Sequence, residues 1–123
     1  MRSFAYELLG AKNIEFEFSA DESISKLKLP MNIRKNLYLI FKEAANNMAK
    51  YSEASRAEFS FNYSKNKLLL LIRDNGKGFD TSLQTQGNGL KNMLNRAKEI
   101  GATLTIESES GSGTRIELMM MTP

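Results

Sequence analysis

Phe59, Phe61 and Tyr63 alternate with Glu58, Ser60 and Asn62, and after the polar string Ser64 to Lys67 the chain runs back through the apolar stretch Leu68 to Ile72. Alternation at period two sends neighbouring side chains to opposite faces, so this segment is a β-hairpin with one apolar face that something must cover. Ile14, Phe16 and Phe18 alternate in the same way with Glu15 and Glu17, and Leu104, Ile106, Ile116 and Leu118 flank Ser108 to Gly113 as a second hairpin. The cover is helical. Behind Pro30, which sits where a first helical residue is favoured, Ile33, Leu37, Phe41, Ala44 and Met48 recur at spacings of three and four. Leu90, Met93, Leu94 and Ala97 repeat the pattern in a second helix that Gly101 closes. A sheet with one apolar face and helices with one apolar stripe each satisfy one another as a two-layer α/β (α+β) sandwich, with a mixed, mostly antiparallel sheet and the helices on one face.

A chain of 123 residues that is 41% hydrophobic is one domain by length and carries enough apolar surface for a core. It has no cysteine, so nothing suggests disulfides, thiolate catalysis or a cysteine zinc site, and no histidine, which excludes a Ser/His/Asp triad, an imidazole metal site and a phosphohistidine on this chain. The net charge of +3 comes from 17 basic and 14 acidic residues interspersed along the sequence, which suits an anionic small ligand or an acidic partner. No basic run interleaved with aromatics argues for nucleic acid. Apolar stretches of five residues or fewer fall far short of the ~20 that span a bilayer, and Met1 to Gly10 lacks a signal-peptide core, so the expected location is the cytosol. Phe4, Leu8 and Leu9 read as the end of a helix that Gly10 terminates.

Three stretches carry chemistry. Asp74, Asn75, Gly76, Lys77, Gly78 and Phe79 follow the apolar strand, so a carboxylate and two glycines stand at its end. Asp74 there can accept a hydrogen bond from an exocyclic amine and would repel phosphate, which suits a purine reader, although the same string is a common hairpin turn. Glu43, Asn47, Lys50 and Tyr51 fall within about 100° of one another on the first long helix, offset by roughly 90° from its apolar stripe. That order of a carboxylate, an amide, an ammonium and a phenol matches what a magnesium nucleoside triphosphate needs, and equally describes a solvated helix flank. Gly87, Asn88, Gly89 and Leu90 open the second helix, whose N-terminal N–H groups and dipole favour an anion. Between these stretches Asp80 to Gln86 is polar without period and reads as a short mobile loop that could act as a lid. Gly111 and Gly113 fit a hairpin turn, with the Thr114 hydroxyl placed to reach a base.

The order of these pieces resembles a family. Glu43-Ala-Ala-Asn-Asn47-Met-Ala-Lys50-Tyr51 resembles the N box of histidine-kinase ATP-binding domains, Asp74-Asn-Gly-Lys-Gly78-Phe79 their first glycine box, Gly87-Asn-Gly89-Leu90 their second and Gly111-Ser-Gly113-Thr114 their third. The chain is thus similar to the GHKL superfamily with its Bergerat fold, and within it to short-lid sensor histidine kinases with Glu at the first N-box position. The resemblance implies ATP and Mg2+ as cofactors. It implies that Asp74 binds the adenine amino group, that Gly76 and Gly78 shape the adenine pocket, and that Thr114 supports it through a water. It further implies that Asn47 holds magnesium and that Glu43 orients or deprotonates the accepting group. Lys50 and Tyr51 would contact phosphates, with Gly87, Gly89 and Leu90 beginning the helix beneath them. Residues 1–10 then correspond to the end of a linker helix from a dimerisation and phosphoacceptor region, and residues 11–123 to the catalytic domain.

The function so implied is transfer of the γ-phosphoryl group to a histidine outside this chain, on the helical dimerisation region of a membrane-anchored receptor, and onward to a response regulator. The fragment itself is expected to be monomeric. A serine kinase regulating a sigma factor shares the nucleotide site and differs in its acceptor, and a nucleotide-binding interaction module would keep the pocket without transfer.

Overall fold

The computed structural model describes residues 2–11, 13–20, 24, 27–77, 89–109 and 111–122. Strands β1 (Glu15–Ala20), β2 (Arg56–Ser64), β3 (Lys67–Asp74), β4 (Thr103–Glu109) and β5 (Gly113–Met121) form one sheet in the order β1-β2-β3-β5-β4. β1 is parallel to β2 and the remaining pairs are antiparallel, which is the mixed sheet that the alternation called for. Among the described residues, helices α1 (Arg2–Ala11), α2 (Met31–Asn47) and α3 (Gly89–Glu99) accompany the sheet, α2 packing against both α1 and α3.

Period two decides which side is covered. Ala57, Phe59, Phe61, Leu68, Leu70, Ile72, Ile116, Leu118 and Met120 are buried, whereas Glu58, Arg73 and Arg115 lie on the open face in exposed ion pairs such as Arg73–Glu58 at 2.8 Å. Such pairs contribute at most about 1 kcal/mol each. Leu37, Ile40, Phe41 and Ala44 of α2, with Met48 just beyond its end, meet the covered face, and Phe41 is seated among rings, 5.3 Å from Phe59 and 6.2 Å from Phe18. Full burial of a side chain of that size contributes about 1.5–3 kcal/mol, which fixes α2 over the β1–β2 end of the sheet. On α3 the buried stripe runs through Met93 and Ala97 with Leu90 and Ile100 half-buried, while Leu94, expected on the stripe, is 47% exposed on its flank.

Local chemistry sets the ends. Lys65 and Asn66 both have left-handed backbones, φ 53° and 65°, and so close the β2–β3 hairpin as a two-residue turn whose twist matches the strands. After α3, Gly101 at φ 71° lets the Ala102 N–H reach the Ala97 carbonyl at 2.8 Å and its own N–H reach Lys98 at 3.1 Å, the Schellman pattern that satisfies the last carbonyls. Two expected boundaries shift. Pro30, with ψ 152°, caps α2 rather than opening it, its carbonyl accepting from Ile33 and Arg34. Gly10 lies within α1, and the left-handed residue that ends that turn is Asn13 at φ 58°, with the Ile14 N–H donating to Leu9 at 2.9 Å.

Candidate functional site

At one end of the sheet the covered face changes from apolar to polar. Asp74, Thr114 and Ser108 are aligned across β3, β5 and β4, on the side where Ile72, Ile116 and Ile106 lie one step earlier. The Asp74 Oδ1 accepts the Gly76 N–H at 2.8 Å. Burial pushes the Asp74 carboxyl above the usual carboxylate range, and the backbone N–H groups of Gly76 and Thr114 pull it partly back. Beside it Ser108 donates to the Gly113 carbonyl at 3.2 Å, which leaves the Thr114 hydroxyl to donate to Ser108 at 2.9 Å. Asp74, Ser108, Gly113 and Thr114 line a cavity of about 270 Å³ with Arg73, Glu107 and Arg115.

The glycines act by close approach. Gly113 is buried at φ 84°, and a Cβ on it would stand 2.3 Å from the Asp74 carbonyl oxygen. Gly111, at φ 86°, donates its N–H to the Lys77 carbonyl. The third glycine pair therefore packs directly on the first glycine segment, which is more than a hairpin turn requires. Gly76 is buried, and its N–H donates to the Asp74 carboxylate. Gly78 and Gly87 lie outside the described residues, as does the expected lid Asp80 to Gln86.

The second cluster hangs from the end of α2. Glu43 is half-buried and lines a cavity of about 210 Å³ between α2 and α3 with Lys42, Asn46, Asn92 and Arg96, separate from the one at Asp74. The Asn47 Nδ2 is buried with no hydrogen-bond partner. A buried donor left unmade costs about 1–3 kcal/mol, so this amide could take an acceptor from a ligand. Immediately after Asn47, Met48–Ser52 form a π-helical turn, ended by Glu53 at φ 53°. A π turn winds more loosely than an α-helix, so Lys50 and Tyr51 lag behind the positions that 100° per residue assigns them. Glu43 and Asn47 share a half-buried flank, whereas Lys50 is exposed, and the side chain of Tyr51 lies outside the described residues. Gly89 and the half-buried Leu90 are the first residues of α3, which places the helix N-terminus where the sequence put it.

Sequence reasoning missed two residues of this site. Ser108 becomes legible only when the β4–β5 register sets it opposite Thr114. Asn75 ties the segment after Asp74 to Ser55 and Arg56 through its side chain, and an Asn following an Asp in a turn was the available signal.

A half-buried carboxylate backed by amide donors can accept from a ligand N–H, and an orphaned amide on the neighbouring helix can donate to a ligand acceptor. On this two-layer scaffold the pair defines a nucleotide-binding class of domain. The sequence pattern of the histidine kinase-, DNA gyrase B- and HSP90-like ATPases matches residues 32–122, and the chain belongs to that family. Sensor protein VraS of Staphylococcus haemolyticus is 44% identical over 97 residues, and that of Staphylococcus saprophyticus 42% over 96. Each alignment covers 77% of this chain and 28% of the relative, so the chain spans little more than a quarter of the length of these curated relatives. Among solved structures, the histidine kinase domain of the Erythrobacter litoralis EL346 blue-light activated histidine kinase superposes with a TM-score of 0.79 at 16% identity, over 95% of this chain and 57% of that one. Full-length ShkA in complex with AMPPNP gives 0.71 at 19% identity, over 96% and 28%. Among the described residues no helix is long and apolar enough to cross a membrane.

Proposed function

We propose that this chain is the ATP-binding catalytic domain of a sensor histidine kinase, passing the γ-phosphoryl group of Mg-ATP to a histidine on a separate helical dimerisation region, from which a response regulator receives it. The observation that carries this reading is the pairing of Asp74, a half-buried acceptor at the sheet end, with Asn47, a buried amide lacking a partner on the helix above. An adenine amine supplies the donor for the first and a triphosphate the acceptors for the second. The similarity to VraS sensor proteins supports a histidine acceptor over a serine acceptor. With no histidine in the sequence, transfer is necessarily to a residue outside it.

The residues fit magnesium in a particular way. Among the described residues no three His, Cys, Asp or Glu side chains cluster as a metal site. Magnesium binds through one or two protein ligands plus substrate phosphates, and Asn47 offers one hard oxygen beside its orphaned nitrogen. The cation would neutralise charge on the phosphates. Asp74 orients the base, Gly113 and Gly111 hold the Asp74 turn against the third glycine segment, and Lys50 with Tyr51 and the N-terminus of α3 offers donors to the phosphates. Glu43 orients the acceptor or takes its proton. Catalysis of this kind is mostly positioning and charge stabilisation. Alone, the chain is monomeric in this reading.

Calorimetry with Mg-ATP tests the reading. Binding is expected for the wild type, with a loss of about tenfold or more in both Asp74→Asn and Asn47→Ala. Unchanged affinity in both variants would refute it.

A further inference from the structure

Asn75 does more for this site than its exposure suggests. Its Oδ1 accepts the N–H groups of Ser55 at 3.1 Å and Arg56 at 2.9 Å, its Nδ2 donates to the Ser55 Oγ at 3.0 Å, and its own N–H donates to the Arg56 carbonyl at 3.2 Å. The β2–β3 pairing ends at Ala57 and Asp74. The Asn75 amide oxygen therefore stands in for the next strand carbonyl and carries the pairing onto the segment that leaves the π-helical turn. That segment is itself tied to the sheet, since the Ser55 carbonyl accepts the Glu15 N–H at 3.0 Å. The other link across the same gap, Lys77 to Glu53 at 4.0 Å, is exposed on both sides and contributes little.

The turn that carries Asp74 is thus gripped on two flanks. On one, the Asp74 carbonyl rests against Gly113 and the Lys77 carbonyl receives the Gly111 N–H. On the other, the Asn75 side chain clamps the turn beside the exposed Lys77–Glu53 pair, and its partners lead back along the chain to the π-helical turn that follows Asn47. We infer that Asn75 is a positioning residue that holds the purine end of the site in register with the phosphate end, acting through Ser55 and Arg56 rather than by touching the nucleotide. This rests on the ATP-binding reading. It goes beyond that reading in dividing the site into two ends whose spacing one side chain fixes.

The reasoning separates ligands that span both ends from ligands that occupy one. Adenosine needs only the Asp74 turn, which the Gly76 and Thr114 amides and the Gly113 packing hold independently of Asn75. ATP needs both ends at the correct spacing. Calorimetric titration of the 123-residue chain with Mg-ATP and, separately, with adenosine reads the difference. Asn75→Ala is expected to weaken ATP by about tenfold and adenosine by less than about threefold. Asn75→Asp keeps an oxygen for both backbone N–H groups and can accept from the Ser55 hydroxyl, so it is expected to bind ATP within about threefold of wild type. Equal losses for the two ligands in the alanine variant, or no loss of ATP, would overturn the inference. If the alanine variant does not fold, the aspartate variant still decides, because an ATP loss of about tenfold or more there contradicts the acceptor role. A wild type that fails to bind ATP sinks the functional reading itself, which keeps the two failures apart.

Discussion

The contact between Gly113 and the Asp74 carbonyl gives a prediction whose magnitude can be worked from the structure. A Cβ at Gly113 meets the Asp74 oxygen at 2.3 Å and the Asp74 carbon and Asn75 Cα at 3.3 Å, all backbone atoms that cannot rotate away, and its φ of 84° is left-handed. Gly111 supplies the control, since it is equally left-handed at φ 86° with nothing within 4 Å of an added Cβ. Gly111→Ala therefore carries only the left-handed cost of about 1–2 kcal/mol. Gly113→Ala carries that cost plus overpacking of about 1–3 kcal/mol. The total is about 2–5 kcal/mol, against a domain stability of about 5–15 kcal/mol. In thermal unfolding followed by circular dichroism, the first variant should lower Tm by roughly 5 °C and the second by roughly 10–20 °C. Displacing the Asp74 carbonyl also moves the purine end, so Gly113→Ala should lose ATP binding even below its melting temperature, while Gly111→Ala retains it. Equal destabilisation by the two substitutions, or intact nucleotide binding in a folded Gly113→Ala, would refute the reasoning.

Asp74 links stability to pH with a definite sign. Burial raises its folded pKa above the ordinary aspartate value, so the folded state holds the proton longer than the unfolded chain and stability falls as pH rises from the unfolded value through the folded one. Asp74→Asn should flatten that fall in urea titrations at acid pH and raise Tm near neutrality, while placing an NH₂ against the base amine and abolishing ATP binding. In the wild type, ATP affinity should decline on acidification at a higher pH than an ordinary carboxylate would give, which calorimetry across the acid range reads. Glu43→Gln should spare ATP affinity and slow phosphoryl transfer to a supplied histidine domain by about a hundredfold, the scale of a lost general base.

The elements were legible because their periods are unmixed. Phe59 to Tyr63 alternates strictly, and Leu37, Phe41, Ala44 and Met48 keep helical spacing, so strand and helix patterns each admit one solution. Asp74 and Thr114 were also legible, one as a carboxylate ending an apolar strand and the other as a hydroxyl after a glycine pair, and their register places them side by side. The rest depends on facts that no local pattern records. The π turn at Met48–Ser52 is a change in winding within a sequence that still scans as a helix. Gly113 reads locally as a hairpin residue, and only packing against the Asp74 carbonyl shows why no side chain fits. The role of Asn75 rests on partners Ser55 and Arg56 that stand at the opening of β2, the whole β2–β3 hairpin away in the chain.

The parallel register of β1 has a consequence for how the domain assembles. β2 meets β3, and β4 meets β5, across turns of a few residues, whereas Glu15 reaches Arg56 only after the whole of α2 has been laid down between them. The entropy of closing that span has to be met before the pairing returns anything, and the β3–β5 pairing, from Asp74–Thr114 to Lys67–Met121, closes a span as long, so the two hairpins lead and both long-range pairings follow. Phe16 and Phe18 complete the ring cluster around Phe59 when β1 docks, so this border strand is held by one ladder and by rings that only long-range closure can bring together.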